Sequence, residues 1–305
     1  MNKSDSVDTL TPRRVKDRLI AYARMMRLHR PIGTFLLLWP LLWALWIAAN
    51  GVPKLGVLVV FLAGTILMRS AGCVINDYAD RDFDGRVKRT ADRPLAQGTA
   101  SPKEALLLFV VLLGAAALLV LTQNSLTIKL AFIGAGLAIV YPFMKRYTYF
   151  PQVYLGAAFG WAVPMSFAAQ ANSLPTICWL VFTAAVTWAL IYDTQYAMVD
   201  REDDLKIGIK STAILFGDLD YKIVAAFQAL MLINLALIGR ESDFTWPYWL
   251  ALSICLGLAV YQHRLIRTRE PAKCFQAFMN NNWYGGFVFA GIAAHYSLSA
   301  TTLLK

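Results

Sequence analysis

The sequence predicts an all-α polytopic membrane protein with nine transmembrane helices. Of its 305 residues, 58% are hydrophobic and 16% are charged, and the mean hydropathy is +0.50. A helix needs about 20 mainly apolar residues to cross a bilayer, and nine runs approach that length. These runs are residues 32–49, 55–75, 103–122, 127–143, 151–169, 174–198, 221–239, 246–262 and 281–300. They leave no room for a second soluble domain.

The positions of Lys and Arg predict the orientation of these helices, because cytoplasmic loops carry an excess of both residues. With the N-terminus in the cytoplasm, 24 of the 29 Lys and Arg residues lie on the cytoplasmic side and four lie on the other side. Nine crossings then place the C-terminus outside. The net charge of +10 therefore indicates a basic membrane face that attracts anionic lipid, and no nucleic-acid partner is expected.

The N-terminal region divides into a polar tail, residues 1–20, and one transmembrane domain, residues 21–305. The first part of that domain, residues 21–31, is basic and amphipathic, which is typical of a helix lying in the membrane interface. Asp5, Asp8 and Asp17 precede the first apolar run and argue against a cleavable signal. The four cysteines form no CxxC pair, so we expect buried apolar side chains in place of disulfides or a zinc site.

Two acidic motifs repeat along the chain and form the main functional signal. Asn76, Asp80 and Asp84 are spaced by four, and 120 residues later the same spacing recurs in the set Tyr196, Asp200 and Asp204. A spacing of four places side chains on one face of a helix. Four apolar runs separate the motifs, which predicts two parallel four-helix repeats plus a ninth helix, with both Asp-rich loops capping the cytoplasmic side.

The chemistry that these motifs predict is the binding of Mg²⁺ and phosphate. Either motif alone would fit a solvated acidic loop, but carboxylates at a membrane edge are costly and mark functional sites. Oxygen-only ligands favour a hard divalent cation, and Mg²⁺ held by carboxylates usually also holds phosphate. Nearby cations would complete the neutralisation of a diphosphate. The candidates are Arg30, Lys88, Arg89, Arg93, Lys145, Arg146 and Lys210.

Two further candidate groups lie inside apolar runs, and each has two interpretations. Arg69 lies in the second run and either forms a structural ion pair with one of the acids or contacts the substrate directly. Tyr192, Asp193 and Tyr196 end the sixth run. Asp193 is seven residues before Asp200, hence on the same helix face, where it could orient or deprotonate a phenol or could instead pair with a cation.

Several stretches of this sequence resemble the UbiA superfamily of intramembrane prenyltransferases. The superfamily pattern is carried by N-D-x-x-D-x-x-x-D followed by KRTADRPL, and by YDTQYAMVDREDD with KIGIKST. The stretches RPIGTFLLLWPLLWALW, YPFMKRYTYFPQVYLGAAFGW and AFMNNNWYG resemble the branch whose acceptor is 4-hydroxybenzoate. The resemblance extends from about Arg27 to about Gly291.

The resemblance implies a fold, a reaction and a set of site residues. The nine helices would surround a central chamber open to lipid, in a bacterial inner membrane. A polyprenyl diphosphate would be the donor, and the ring carbon of 4-hydroxybenzoate ortho to its hydroxyl would be the acceptor, in ubiquinone biosynthesis. Lys145 and Arg146 match a basic pair associated with phosphate or with the aromatic carboxylate. The residues that match the family's Mg²⁺–diphosphate site are Asn76, Asp80, Asp84, Asp200 and Asp204.

Other functions remain open at this point. A UbiA-type enzyme could use haem, a naphthoate or homogentisate as acceptor. A transporter would carry its acids near the bilayer midplane, often beside broken helices, whereas these acids lie at the edge and Pro164 is the clearest break within a run. A CDP-alcohol phosphotransferase would show a D-G-x-x-A-R signature, which this sequence lacks.

Overall fold

The computed structural model describes residues 12–84 and 90–303, and within these ranges all regular structure is helical. The all-α fold class is thereby confirmed. Twelve α-helices and one short 3₁₀ turn, Gly217–Leu219, follow one another along the described chain. The helices are α1 (Pro12–Met25), α2 (Ile32–Ala49), α3 (Leu55–Asp84), α4 (Pro102–Val120), α5 (Ser125–Tyr147), α6 (Pro151–Gly160), α7 (Ala162–Ala171), α8 (Thr176–Ile207), α9 (Thr212–Phe216), α10 (Asp220–Glu241), α11 (Trp246–Ile266) and α12 (Pro271–Leu303).

Six helical segments of the described chain are long and apolar enough to cross a membrane, against the nine spans that the sequence predicts. They are Ile32–Ala49, Leu55–Arg81, Pro102–Val120, Thr176–Lys206, Thr212–Glu241 and Trp246–Ile266. The other three predicted runs are also helical. The run in α5 is a shorter apolar helix, the run at 151–169 is divided between α6 and α7, and the run at 281–300 lies within the 33 residues of α12.

The division between α6 and α7 has a local cause. Pro164 lacks an N–H, and its ring would clash with the carbonyl of Gly160 in a continuous helix, so α6 ends at Gly160 and α7 begins at Ala162. The indole of Trp161, between the two helices, donates to the backbone carbonyl of Leu130 on α5 at 2.8 Å. The break expected at Pro164 is therefore present, three residues before the proline itself.

The chain forms two compact units. The first contains residues 1–31 and 66–118, described here over 12–31, 66–84 and 90–118. Its core is a small apolar cluster that includes Met25 on α1, Val74 on α3 and Ala105 on α4. Helix α1 begins at Pro12, well inside the segment expected to be a polar tail, because its Ala21 and Met25 are buried in this unit.

The second unit contains residues 32–65 and 119–305, and α8 is central to it. Helix α8 packs against α2, α6, α7, α10 and α12. The core of this second unit holds the largest fully buried side chains of the described chain, among them Trp43, Trp188 and Tyr248. The rings of Trp43 and Trp188 lie 5.3 Å apart between centroids.

A network of buried amides joins four helices of this second unit. Gln262 accepts from Gln195 at 3.1 Å and from Gln228 at 2.9 Å, and it donates to Asn280 at 3.0 Å. Asn281 donates to Gln195 at 2.7 Å and accepts from the Trp188 indole at 3.1 Å. Interhelical bonds between polar side chains stabilise packing in a membrane, so this network fixes α8 against α10, α11 and α12.

Candidate active site

The first acidic motif lies on a helix and not in a loop. Helix α3 is 30 residues long, which corresponds to about 45 Å, and it exceeds the roughly 30 Å of a bilayer's hydrocarbon core. Its last turns carry Asn76 and Asp80, both half-buried, and it ends at Asp84, whose side chain is outside the described part. The predicted Asp-rich cap loop is therefore, over Asn76–Asp84, a helical extension.

A buried carboxylate next to Asn76 in the sequence forms ion pairs with two arginines. Asp77 is 2% exposed, and its Oδ1 lies 2.8 Å from Arg27 Nη2 and 3.2 Å from Arg93 Nη1. Arg93, predicted to contact the substrate, thus has a protein partner. Asp77 was missed as a functional residue, although its place inside the motif was a signal.

Of the other predicted cations of the first unit, the structure describes Arg30 but not Lys88 and Arg89. Arg30 is exposed beyond the end of α1. Lys88 and Arg89 lie outside the described residues. Beside Arg30, burial and the charges of Arg30, Arg27 and Arg24 lower the pKa of His29. Because a lowered pKa keeps this imidazole neutral at pH 7, the arginines alone supply the positive charge here.

Arg69 lies on α3, seven residues before Asn76, and is half-buried. Its guanidinium donates to Cys73 Sγ on the next turn. Among the described residues it forms no ion pair, so the structural ion pair considered from the sequence is not observed there. A contact between Arg69 and substrate stays a prediction.

The second acidic motif extends α8 in the same way. Asp200 and Asp204 are half-buried on the last turns of this 32-residue helix. Gly208 adopts a left-handed conformation with φ 72° and its N–H bonds to the carbonyl of Asp204, which ends the helix. Asp193, Asp200 and Asp204 lie at steps of seven and four on this helix, so the three acids share one side of α8.

A buried glutamine that the sequence did not single out lies beside Asp193. Gln152 is 3% exposed at the start of α6 and is near enough to interact with the Asp193 carboxylate. Its other end, Oε1, accepts from the backbone N–H of Thr212 at 3.2 Å. The hydroxyls of Thr212 and Thr194 are 2.7 Å apart. Gln152 therefore joins α6 to α9 beside the acid, and nothing in the sequence pattern indicated that residues 41 apart, Gln152 and Asp193, would be neighbours.

An aromatic stripe leads along α8 to the acids. Trp188, Tyr192 and Tyr196 follow one another at steps of four and continue the face that bears Asp200 and Asp204. Ring centroids are 5.3 Å apart for Trp188–Tyr192 and 4.9 Å apart for Tyr196 and Phe278 of α12. Such ring faces can stabilise a nearby cation. Tyr192 and Tyr196 were predicted, whereas Phe278 was missed within an apolar segment that offered no distinguishing signal.

Three predicted cations meet at the end of α5. Lys145 and Arg146 form its last turn, and the backbone N–H of Lys210 donates to the carbonyl of Lys145 at 3.1 Å. The Lys210 ammonium donates to the carbonyl of Tyr147 at 3.4 Å and lies 5.4 Å from the ring centre of Tyr149. Residues far apart in sequence thus form one basic cluster. Its member Lys210 lies six residues beyond Asp204 along the chain.

The oxygen donors of each motif suit a hard cation that is bound together with its ligand. Within the described ranges, no three His, Cys, Asp or Glu side chains form a metal-binding group by themselves. The available donors are the Asn76 amide oxygen and the Asp80 carboxylate in the first unit, and the carboxylates of Asp200 and Asp204 in the second unit. Mg²⁺ fits such a set, because it is usually held by one or two carboxylates with water and substrate phosphate completing the shell.

Comparisons with known proteins give the family of this chain. The model of the UbiA prenyltransferase family matches residues 37–291. A 4-hydroxybenzoate octaprenyltransferase of Nitrosococcus oceani is 61% identical over 282 residues, which is 92% of this chain and 99% of that protein. A 4-hydroxybenzoate octaprenyltransferase of Methylococcus capsulatus is 59% identical over 285 residues, covering 93% of this chain and 98% of that protein.

Solved structures share the fold at low sequence identity. A UbiA homologue from Aeropyrum pernix K1 superposes with a TM-score of 0.75 at 20% identity, covering 86% of this chain and 98% of that one. A UbiA homologue from Archaeoglobus fulgidus, bound to GPP and Mg²⁺, gives a TM-score of 0.66 at 18% identity, covering 90% and 99%. The family match over most of the chain and the identity to these relatives show that the chain belongs to the UbiA prenyltransferase family.

Proposed function

We propose that this protein transfers a polyprenyl group from polyprenyl diphosphate to the ring carbon ortho to the hydroxyl of 4-hydroxybenzoate, and releases diphosphate, in ubiquinone biosynthesis. The observation that carries the proposal is the 61% identity to a 4-hydroxybenzoate octaprenyltransferase over 99% of its length. The names of such relatives favour an octaprenyl donor.

We infer nine spans in the membrane. Three spans are added to the six that meet the length and hydropathy requirement: α5, α6 with α7, and α12. Helix α5 has 23 residues, or about 35 Å, which exceeds the hydrocarbon thickness. The proposed location is the bacterial inner membrane, with the N-terminus in the cytoplasm and the C-terminus outside, as the distribution of Lys and Arg favours.

Mg²⁺ is the proposed cofactor, held by oxygen donors on two helices. Asn76, Asp80 and Asp84 of α3 and Asp200 and Asp204 of α8 would supply these oxygens. When bound, the metal would neutralise the diphosphate and favour its departure. The divalent cation reported with GPP in a homologous fold supports this choice.

The basic side chains would bind the two anions of the reaction. Lys145, Arg146 and Lys210 would neutralise the leaving diphosphate or the carboxylate of the acceptor. Arg30, Arg69 and Arg93, with Lys88 and Arg89, are proposed to contact the diphosphate from the first unit. Their positive charges would stabilise the negative charge that the diphosphate gains when the electron pair of the allylic C–O bond leaves with its oxygen.

The aromatic stripe and Asp193 would direct the organic chemistry. The allylic C–O bond breaks, and the cation forms beside the ring faces of Tyr192 and Tyr196, where water is excluded. The ring carbon ortho to the phenol oxygen then forms the new C–C bond, and the ring loses a proton. Asp193 would hold the phenol hydroxyl and strengthen ring attack, and Gln152 would hold Asp193 in place.

The test is prenyl transfer in membranes that contain the expressed chain. Octaprenyl diphosphate, 4-hydroxybenzoate and Mg²⁺ are expected to give the octaprenylated acid, EDTA is expected to stop the reaction, and excess Mg²⁺ is expected to restore it. Membranes that contain the Asp200→Asn variant are the control. Transfer to another aromatic acceptor but not to 4-hydroxybenzoate would contradict the acceptor, and no transfer to any acceptor would contradict the reaction.

A further inference from the structure

A fully buried carboxylate holds the end of α8 from the flank of the face that carries the acids. Asp220, the first residue of α10, is 0% exposed. Its Oδ2 lies 3.3 Å from Arg201 Nη1, and Arg269 Nε lies 3.0 Å from Oδ1 and 3.2 Å from Oδ2. Arg201 directly follows Asp200, while Arg269 lies between α11 and α12. One carboxylate thus joins three parts of the second unit.

Further hydrogen bonds hold this cluster together. Arg201 Nη1 donates to the carbonyl of Gly217 at 3.3 Å, and Arg269 Nη2 donates to the carbonyl of Asp218 at 2.6 Å. The backbone N–H of Tyr221 donates to Asp220 Oδ1 at 2.6 Å. Such additional hydrogen bonds are what make a buried ion pair favourable, and the buried Asp220 carboxylate has them.

The direction of the contact suits it to orient the acids. Successive residues of an α-helix are about 100° apart around the axis, so Arg201 leaves α8 about 100° from Asp200 and about 60° from Asp204, on the flank of the face that carries both acids. Fixing Arg201 therefore fixes the rotation of the last turns of α8 about their axis. We propose that Asp220, with Arg201 and Arg269, is a positioning residue that aims the carboxylates of Asp200 and Asp204. This proposal rests on the metal role given to those two acids under the proposed function.

A role in folding alone predicts a different result from a role in positioning. If the cluster only joins helices, its loss lowers thermal stability and leaves metal affinity unchanged. Electrostatics alone gives a third result, because removal of the positive charge beside Asp200 would strengthen the binding of a cation. Weaker metal binding in Arg201→Ala is expected only if the side chain aims the acids.

The experiment measures Mn²⁺ binding by electron paramagnetic resonance on the purified full-length protein, with Mn²⁺ and inorganic diphosphate together as the probe. The variants are Arg201→Ala, Asp220→Asn and, as a milder change that keeps the charge, Arg269→Lys. The control is Tyr248→Phe, which removes the buried 2.8 Å hydrogen bond to the carbonyl of Leu235. The double variant Asp200→Asn/Asp204→Asn defines the signal that belongs to α8.

We expect Arg201→Ala and Asp220→Asn to raise the half-saturating Mn²⁺ concentration about tenfold, in the range that loss of a metal's outer partners causes. Tyr248→Phe should lower the thermal midpoint without that shift. If Arg201→Ala does not fold, a shift in Arg269→Lys supports the proposal by itself. Unchanged or tighter Mn²⁺ binding in the folded variants would overturn the positioning role. A wild-type protein that binds no Mn²⁺ would overturn the metal site itself, and with it this proposal.

Discussion

The proposed hold of Gln152 on Asp193 gives the sharpest test of the proposed chemistry. In Gln152→Leu the side chain keeps its approximate volume but loses both polar ends, so the amide beside Asp193 is removed and the N–H of Thr212 loses its 3.2 Å acceptor. A hydrogen bond from this amide to the charged Asp193 in the transition state would contribute about 1.5–3 kcal/mol. We therefore expect its loss to lower kcat/KM by roughly 10- to 150-fold, since about 1.4 kcal/mol corresponds to a factor of ten.

The assay is the rate of 4-hydroxybenzoate prenylation at saturating octaprenyl diphosphate, measured over a range of acceptor concentrations. Gln262→Leu is the matched control, because Gln262 is another fully buried glutamine, with three amide partners on other helices. We expect this control to lower the thermal midpoint and to leave kcat/KM within about twofold. A Gln152→Leu protein that folds and keeps the wild-type kcat/KM would refute the role given to the pair.

Three further predictions follow from the same geometry. Asp80→Asn and Asp200→Asn should each reduce turnover at least about a thousandfold, because each removes a principal transition-state contact. Their size-exclusion profiles should stay normal. Near-normal activity in either variant would contradict the metal role. Tyr196→Leu should raise the ratio of polyprenol to prenylated product, because water reaches the cation once the ring is gone, and Tyr196→Phe should not; chromatography of the lipid products measures both. Gln262→Leu should cost about 2–3 kcal/mol for three lost hydrogen bonds at about 1 kcal/mol each, seen as a lower unfolding midpoint in detergent.

Hydropathy and spacing were sufficient to predict the helices and the faces of the acids. Every predicted apolar run is helical, and the step of four from Tyr192 through Tyr196 to Asp200 follows one face of α8. The polar residues at the end of α8, including Arg201 and Lys206, are compatible with helix, so the acids stand on an extension of the span and not in the loop that a change of composition suggested.

The partners of the buried polar groups could not be predicted from the sequence. Gln195 and Gln262 are 67 residues apart, and Arg27 and Asp77 are 50 apart. Such pairs depend on which helices pack together, and hydropathy periodicity carries no information about that choice. For the same reason the sequence left Arg69 with two interpretations, and it gave no indication that Gln152 would lie beside Asp193.

The amide network also bears on the order in which the chain can be built into the membrane. Gln195 on α8 accepts from Asn281, which is synthesised 86 residues later. At about 5–20 residues per second, roughly 4 to 17 seconds pass before that partner exists. During this interval α8 presents an amide that lipid cannot satisfy. The last helix therefore closes the polar interior of the bundle, and a chain truncated before Asn281 should be recognised by the cell as unassembled and be degraded.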